Sequence, residues 1–150
     1  MHRPLRILHV VPRLDAEGVG GLVTTLAVAQ ARCGDEPTVV CLAGEPDPGL
    51  MAQLAERRVG VIRLDGSRDI AMAVRVRAVA RRTLADVVHT HGDALASGLL
   101  AQAFPRRVGV HAVTGTEPQS LRWLVRLTGM RLHAEQSITE ATVRELYGRR

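Results

Sequence analysis

The sequence predicts an α/β protein, a parallel sheet covered by helices on both faces. Three observations predict it. Apolar runs of strand length alternate with helix-period segments along the chain, the connections are short, and the apolar residues are mostly Val, Leu and Ala, with 2% aromatics. Strand–helix–strand crossovers force neighbouring strands parallel, and small branched side chains suit strands buried on both sides. A chain of 150 residues can bury its own core, so residues 1–150 read as one domain.

The first element is the apolar run Leu5 to Val11, closed by Pro12. A glycine-rich loop follows to Gly21, and Leu22 to Arg32 repeats apolar residues at helical spacing until Gly34 stops it. Thr38 to Leu42 is a second buried strand, Leu50 to Arg58 a short helix and Val59 to Leu64 a third strand. Asp69 is placed to cap a helix running to about Leu84. Asp86 to His91 forms a fourth strand, polar at its end, followed by a helix over Ala94 to Ala103 and a fifth strand over Val108 to Val113. Pro118 opens a helix to about Thr128; Leu132 to Ser137 is a short strand and Glu140 to Tyr147 a last helix.

Composition narrows the function. The chain is 46% hydrophobic and 23% charged, as soluble globular proteins are. Its net charge of +5 comes from Arg alone, since there is no Lys, and the Arg residues are scattered. Nucleic-acid binding calls for a dense basic stripe and aromatic platforms, and both are missing. Cys33 and Cys41 form no CxxC pair and their neighbours lack metal-site spacing, so no metal is expected. The short apolar run after the basic start is broken at Pro12 and Arg13, which argues against a signal peptide or membrane span and for the cytoplasm. The basic amphipathic helix after Pro118 leaves peripheral contact with the inner membrane face as one reading; packing on the sheet is the other.

Ligands of open parallel sheets gather beyond the carboxyl ends of the strands, where strand order reverses. Three such ends carry small or polar groups: Arg13 to Gly21 after strand one, His91-Gly92-Asp93 after strand four and Thr114-Gly115-Thr116-Glu117 after strand five. Gly18, Gly20 and Gly21 let backbone approach a phosphate or sugar, with a helix N-terminus behind them. Asp15 and Glu17 would repel an anion, so a neutral sugar fits that loop as well as phosphate. A tight turn without ligand is the competing explanation. His91 can serve proton transfer, hydrogen-bond a sugar hydroxyl, or be satisfied inside the fold. His9, His89 and His111 lie inside strands, where packing or backbone hydrogen bonding accounts for them.

Arg6-Ile7-Leu8-His9-Val10-Val11-Pro12, the Gly20-Gly21 pair, Thr38-Val39-Val40 and Asp86-Val87-Val88-His89-Thr90-His91-Gly92 resemble, in order, the signposts of the glycosyltransferase family 4 N-terminal domain. Ala134 to Thr142, followed by Arg144-Glu145-Leu146, is similar to that domain's closing stretch. The resemblance implies the Rossmann-like, acceptor-binding half of a GT-B enzyme that transfers a sugar with retention, usually without a required metal. The donor, a UDP- or GDP-sugar, and the paired E-x7-E carboxylates belong to a C-terminal half, so the expected partners are such a half and a sugar or glycolipid acceptor. By this resemblance and the strand-end rule, Arg13, Gly92, Asp93 and Gly115 bind the acceptor, the three glycines border the donor phosphates, and His91 is the catalytic candidate. Three departures follow: the E-x7-E region is not found, Thr114 stands where the family carries a histidine, and, of less weight, Asp35 replaces a common histidine. Thr cannot act as a base near neutral pH, so the chain alone is expected to be inactive.

Three other readings were weighed. A non-catalytic glycan, glycolipid or protein-binding module would keep the fold without the turnover. A nicotinamide-dependent dehydrogenase is disfavoured because Val23 takes the third-glycine position of G-x-G-x-x-G and no acid closes strand two. No helix-turn-helix supports a DNA-binding regulator.

Overall fold

The computed structural model describes residues 3–66, 70–95, 97–98, 101, 108–113 and 131–134. Among them are six strands: β1 (Arg6–Val11), β2 (Glu36–Cys41), β3 (Gly60–Arg63), β4 (Val87–His91), β5 (Val108–Val113) and β6 (Arg131–Ala134). They form one parallel sheet in the order β3-β2-β1-β4-β5-β6. The chain therefore builds outward from β1 to one edge, returns, and builds outward from β4 to the other. The reversal falls between β1 and β4, which pair from Ile7↔Val87 to Val10↔Thr90.

Strand alternation sends successive β1 residues to opposite faces. On one face α1 (Val19–Arg32) and α2 (Pro48–Glu56) pack Val23, Ala27, Leu50 and Leu54 against Val11, Val39 and Cys41. On the other, α3 (Ile70–Arg82) packs Met72, Val76, Val79 and Ala80 against Leu8, Val10, Val40, Leu42 and Val88. Ala94 and Ala101 join that second core, Ala101 from a helical stretch.

The helices stop by a shared device. Asp35 N–H donates to the Gln30 carbonyl, Val59 N–H to Leu54 and Ala85 N–H to Ala80, each closing a final turn around a left-handed residue. Gly34 fills that position after α1, as its sequence suggests, but Arg58 (φ 56°) and Leu84 (φ 52°) fill it after α2 and α3. Two helix starts differ from the sequence reading. Helix α1 begins at Val19, so Gly20 and Gly21 lie in its first turn instead of in a loop. Helix α2 begins at Pro48 because the Asp47 carboxylate accepts the Leu50 N–H at 3.0 Å. The expected cap at Asp69 and the helices after Pro118 and Glu140 lie outside the described residues.

Candidate functional site

The carboxyl edge of the sheet is assembled by short backbone ties. Leu42 N–H donates to the Val11 carbonyl, Ala43 N–H to Pro12 and Asp47 N–H to Leu14, so the exits of β1 and β2 run side by side. Gly92 brings the exit of β4 beside them: a Cβ on Gly92 would stand 3.6 Å from Pro12 Cγ. A Cβ on Gly44 would stand 3.9 Å from Arg13 Cδ. Arg13, Glu17 and Asp93 are exposed here, and Asp15 is half-buried. The sequence-predicted acceptor residues Arg13, Gly92 and Asp93 thus share one edge at the strand-order reversal. Thr114 and Gly115 lie outside the described residues.

The three glycines separate into different roles. Gly18 caps α1 with φ 112°, a backbone conformation that side chains disfavour. Gly20 is fully tucked in: a Cβ there would sit 2.3 Å from the Asp15 carbonyl oxygen. Gly21 meets only the Ala16 carbonyl, at 3.4 Å. Close packing of the loop on the helix therefore explains Gly20 without a ligand. The first-turn N–H groups of α1 nevertheless have no intrahelical acceptors, and no side chain caps them.

Of the places the sequence leaves open to His91, the structure gives it the one inside the fold. It is 1% exposed and turns beneath α1, so in this arrangement its ring does not reach a ligand at the edge. Instead it joins His9 and His89, also buried, in a stack on one face of the sheet. His9 Nδ1 lies 3.2 Å from His91 Nε2, and His9 Nε2 lies 2.7 Å from Gln30 Oε1 of α1. The rings of His89 and His91 are 4.0 Å apart between centroids and those of His9 and His89 5.1 Å. Burial pulls the His9 pKa from 6.5 down to about 4, against a smaller opposing effect of the Gln30 hydrogen bond, so the ring is neutral near pH 7.

Sequence reasoning treated these histidines one at a time. Their common face was readable: His89 and His91 are two apart in a strand, and His9 is the register partner of His89. What the sequence could not supply was the β1–β4 pairing itself. His111 faces the other side, fully buried as a packed strand residue, with its Nδ1 2.8 Å from Thr90 Oγ1.

A cleft of about 440 Å³ lies at the opposite, amino end of the strands between Arg6, Asp35, Glu36, Arg57 and Arg58. Arg6 is engaged there with Asp86, whose carboxylate accepts the Arg6 backbone N–H at 3.0 Å and pairs with its guanidinium at 3.2 Å. Those contacts, the backbone bond foremost, lower the Asp86 pKa. That engagement and the distance from the strand exits make this cleft the weaker candidate.

The sequence model of Glycosyltransferase Family 4 matches residues 16–146. Among solved structures, a glycosyltransferase of Rickettsia africae ESF-5 superposes with a TM-score of 0.75 at 20% identity, over 97% of this chain and 40% of that one. A protein assigned as a UDP-N-acetylglucosamine 2-epimerase of Listeria monocytogenes superposes with a TM-score of 0.60 at 16% identity, over 96% of this chain and 43% of that one. The chain thus spans about two-fifths of each neighbour's length. No curated protein sequence matches it.

Proposed function

The chain belongs to Glycosyltransferase Family 4, and from that premise we propose that it forms the acceptor-side half of a retaining, nucleotide-sugar-dependent transferase. The donor, a UDP- or GDP-sugar, is held by a second, C-terminal half beyond these 150 residues, as a continuation of the polypeptide or as a separate subunit. The observation that carries the reading is the convergence of Arg13, Gly92 and Asp93 with the N-terminus of α1 at the strand-order reversal.

The chemistry of that edge suits a sugar acceptor. Arg13 donates and Asp93 accepts, a complementary pair for vicinal hydroxyls. The surrounding Asp15 and Glu17 discourage a free anion, while the first-turn N–H groups of α1, which no side chain caps, lend a local positive end toward the donor diphosphate. The exposed side chains position the acceptor. His91 stands behind them as a positioning residue, and Thr114, in place of the family histidine, offers a hydroxyl but no base. Among the described residues no helix is long and apolar enough to cross a membrane. We place the protein in the cytoplasm, with a glycolipid acceptor reached from the inner membrane face.

The test is transfer of labelled sugar from UDP- and GDP-sugar pools onto a membrane lipid extract, with this chain alone and with a family donor half added. Turnover is expected only in the pair, and Arg13→Ala with Asp93→Ala should raise the acceptor KM about tenfold, the loss of roughly 1.4 kcal/mol of hydrogen bonding. Turnover by the chain alone would sink the division of labour. Acceptor binding without turnover in every pair would instead support a binding-only module.

A further inference from the structure

We propose that His9, His89 and His91 form a site for one zinc ion, bridging β1 and β4 beneath α1. The proposal is independent of the acceptor assignment and rests on donor chemistry and spacing.

All three residues offer a ring nitrogen, and these atoms lie within 4.8 Å of one another. His9 Nδ1 and His91 Nε2, hydrogen-bonded across 3.2 Å, already stand at the separation of two ligands that would share an ion in place of that proton. Nitrogens about 2.0–2.1 Å from a tetrahedral zinc stand roughly 3.3 Å apart. His9 also carries the supporting contact that metal-bound histidines keep. With Nε2–H donating to Gln30 Oε1 at 2.7 Å, its Nδ1 lone pair is directed at the cluster.

The scaffold is rigid where it must be. His9 and His89 are register partners on hydrogen-bonded strands, and His91 is the next residue on the same face. The three rings lie 4.0–5.4 Å apart between centroids and are tilted by 34–44° to one another. Three imidazoles with no thiolate or carboxylate among them favour zinc over magnesium or calcium and leave a fourth position for water. An ion here would clamp together the two strands whose exits carry Arg13 and Gly92.

The experiment uses the full chain with Cys33→Ser, which removes the exposed thiol as a competing ligand. The chelator-treated protein is titrated with Co(II), followed by visible absorption, and then with Zn(II) by calorimetry. One equivalent is expected to bind, with the bands of tetrahedral cobalt, displacement by zinc and a rise in Tm. His91→Asn should weaken binding by roughly 100-fold and Gln30→Leu by about 10- to 100-fold. His2→Asn together with His133→Asn should change nothing. Absence of saturable uptake by the parent chain, or uptake that survives Gln30→Leu and His91→Asn undiminished, overturns the site.

Discussion

Leu8 and His9 are neighbours in β1, both 0% exposed, and they face opposite ways. Leu8 enters a core of aliphatic side chains from β2, β4 and α3. His9 enters a polar seam with His89, His91 and Gln30 under α1. The fold needs both layers, but only the first has the composition that stability alone would select. A buried polar group is tolerated when its partners are supplied, and it is exacting about which partners. The difference locates specialisation on the α1 side of the strand-order reversal, where the glycine-bordered helix start also lies.

The contrast can be broken most forcefully on the apolar side. Leu8→Ala should cost about 4 kcal/mol, a transfer loss plus a cavity that close packing cannot heal, read from urea unfolding. A loss under about 1 kcal/mol would mean that the α3 face is loosely packed.

Acid should attack the other face. The His9 pKa is about 4 when folded and 6.5 when unfolded, so below pH 6.5 the unfolded chain binds a proton that the folded chain refuses. Stability present above pH 6.5 is then lost as the pH falls toward 4, by on the order of 3 kcal/mol for this one group. Urea midpoints of the chelator-treated chain across that window should show the slope, and His9→Gln should flatten it. An unchanged slope would place the acid sensitivity elsewhere.

Smaller effects sharpen the comparison. Gly20→Ala drives a methyl into the Asp15 backbone and should cost about 2 kcal/mol, whereas Gly21→Ala should be tolerated. Equal melting temperatures for the two variants would contradict the packing assigned to Gly20. On the α3 side, Leu84→Gly relieves a left-handed residue that is 62% exposed, and should raise stability by about 1 kcal/mol by the same unfolding measurement.

Much of this architecture was legible in the residues. The runs around Leu8, Val40 and Val88 read as buried strands because nothing polar interrupts them on the α3 side, and Gly34 announced the end of α1. The start of α1 did not read correctly, since Gly20 and Gly21 suggest a loop until the close approach to Asp15 explains them. The start of α2 is written in Asp47-Pro48, a capping carboxylate followed by a residue suited to the first helical position. The candidate edge was half legible. Strand-end reasoning brings Arg13, Gly92 and Asp93 together, but it leaves His91 open between a ligand-facing group and one satisfied inside the fold. Its orientation follows from strand parity and from pairing with β1, which no local pattern encodes.

The central position of β1 has a consequence for how the protein is made. Its partner across the reversal is anchored by Asp86, which grips Arg6 from 80 residues downstream. At synthesis rates of about 5–20 residues per second, the ribosome takes roughly 4–16 s to deliver that partner after β1 emerges. Through that interval β1 can pair with β2, but its other edge, from Ile7 to Val10, stays open to any passing strand. The nascent chain is therefore at its most vulnerable between the synthesis of β1 and that of β4, and a chaperone that shields the first forty residues would act during that delay.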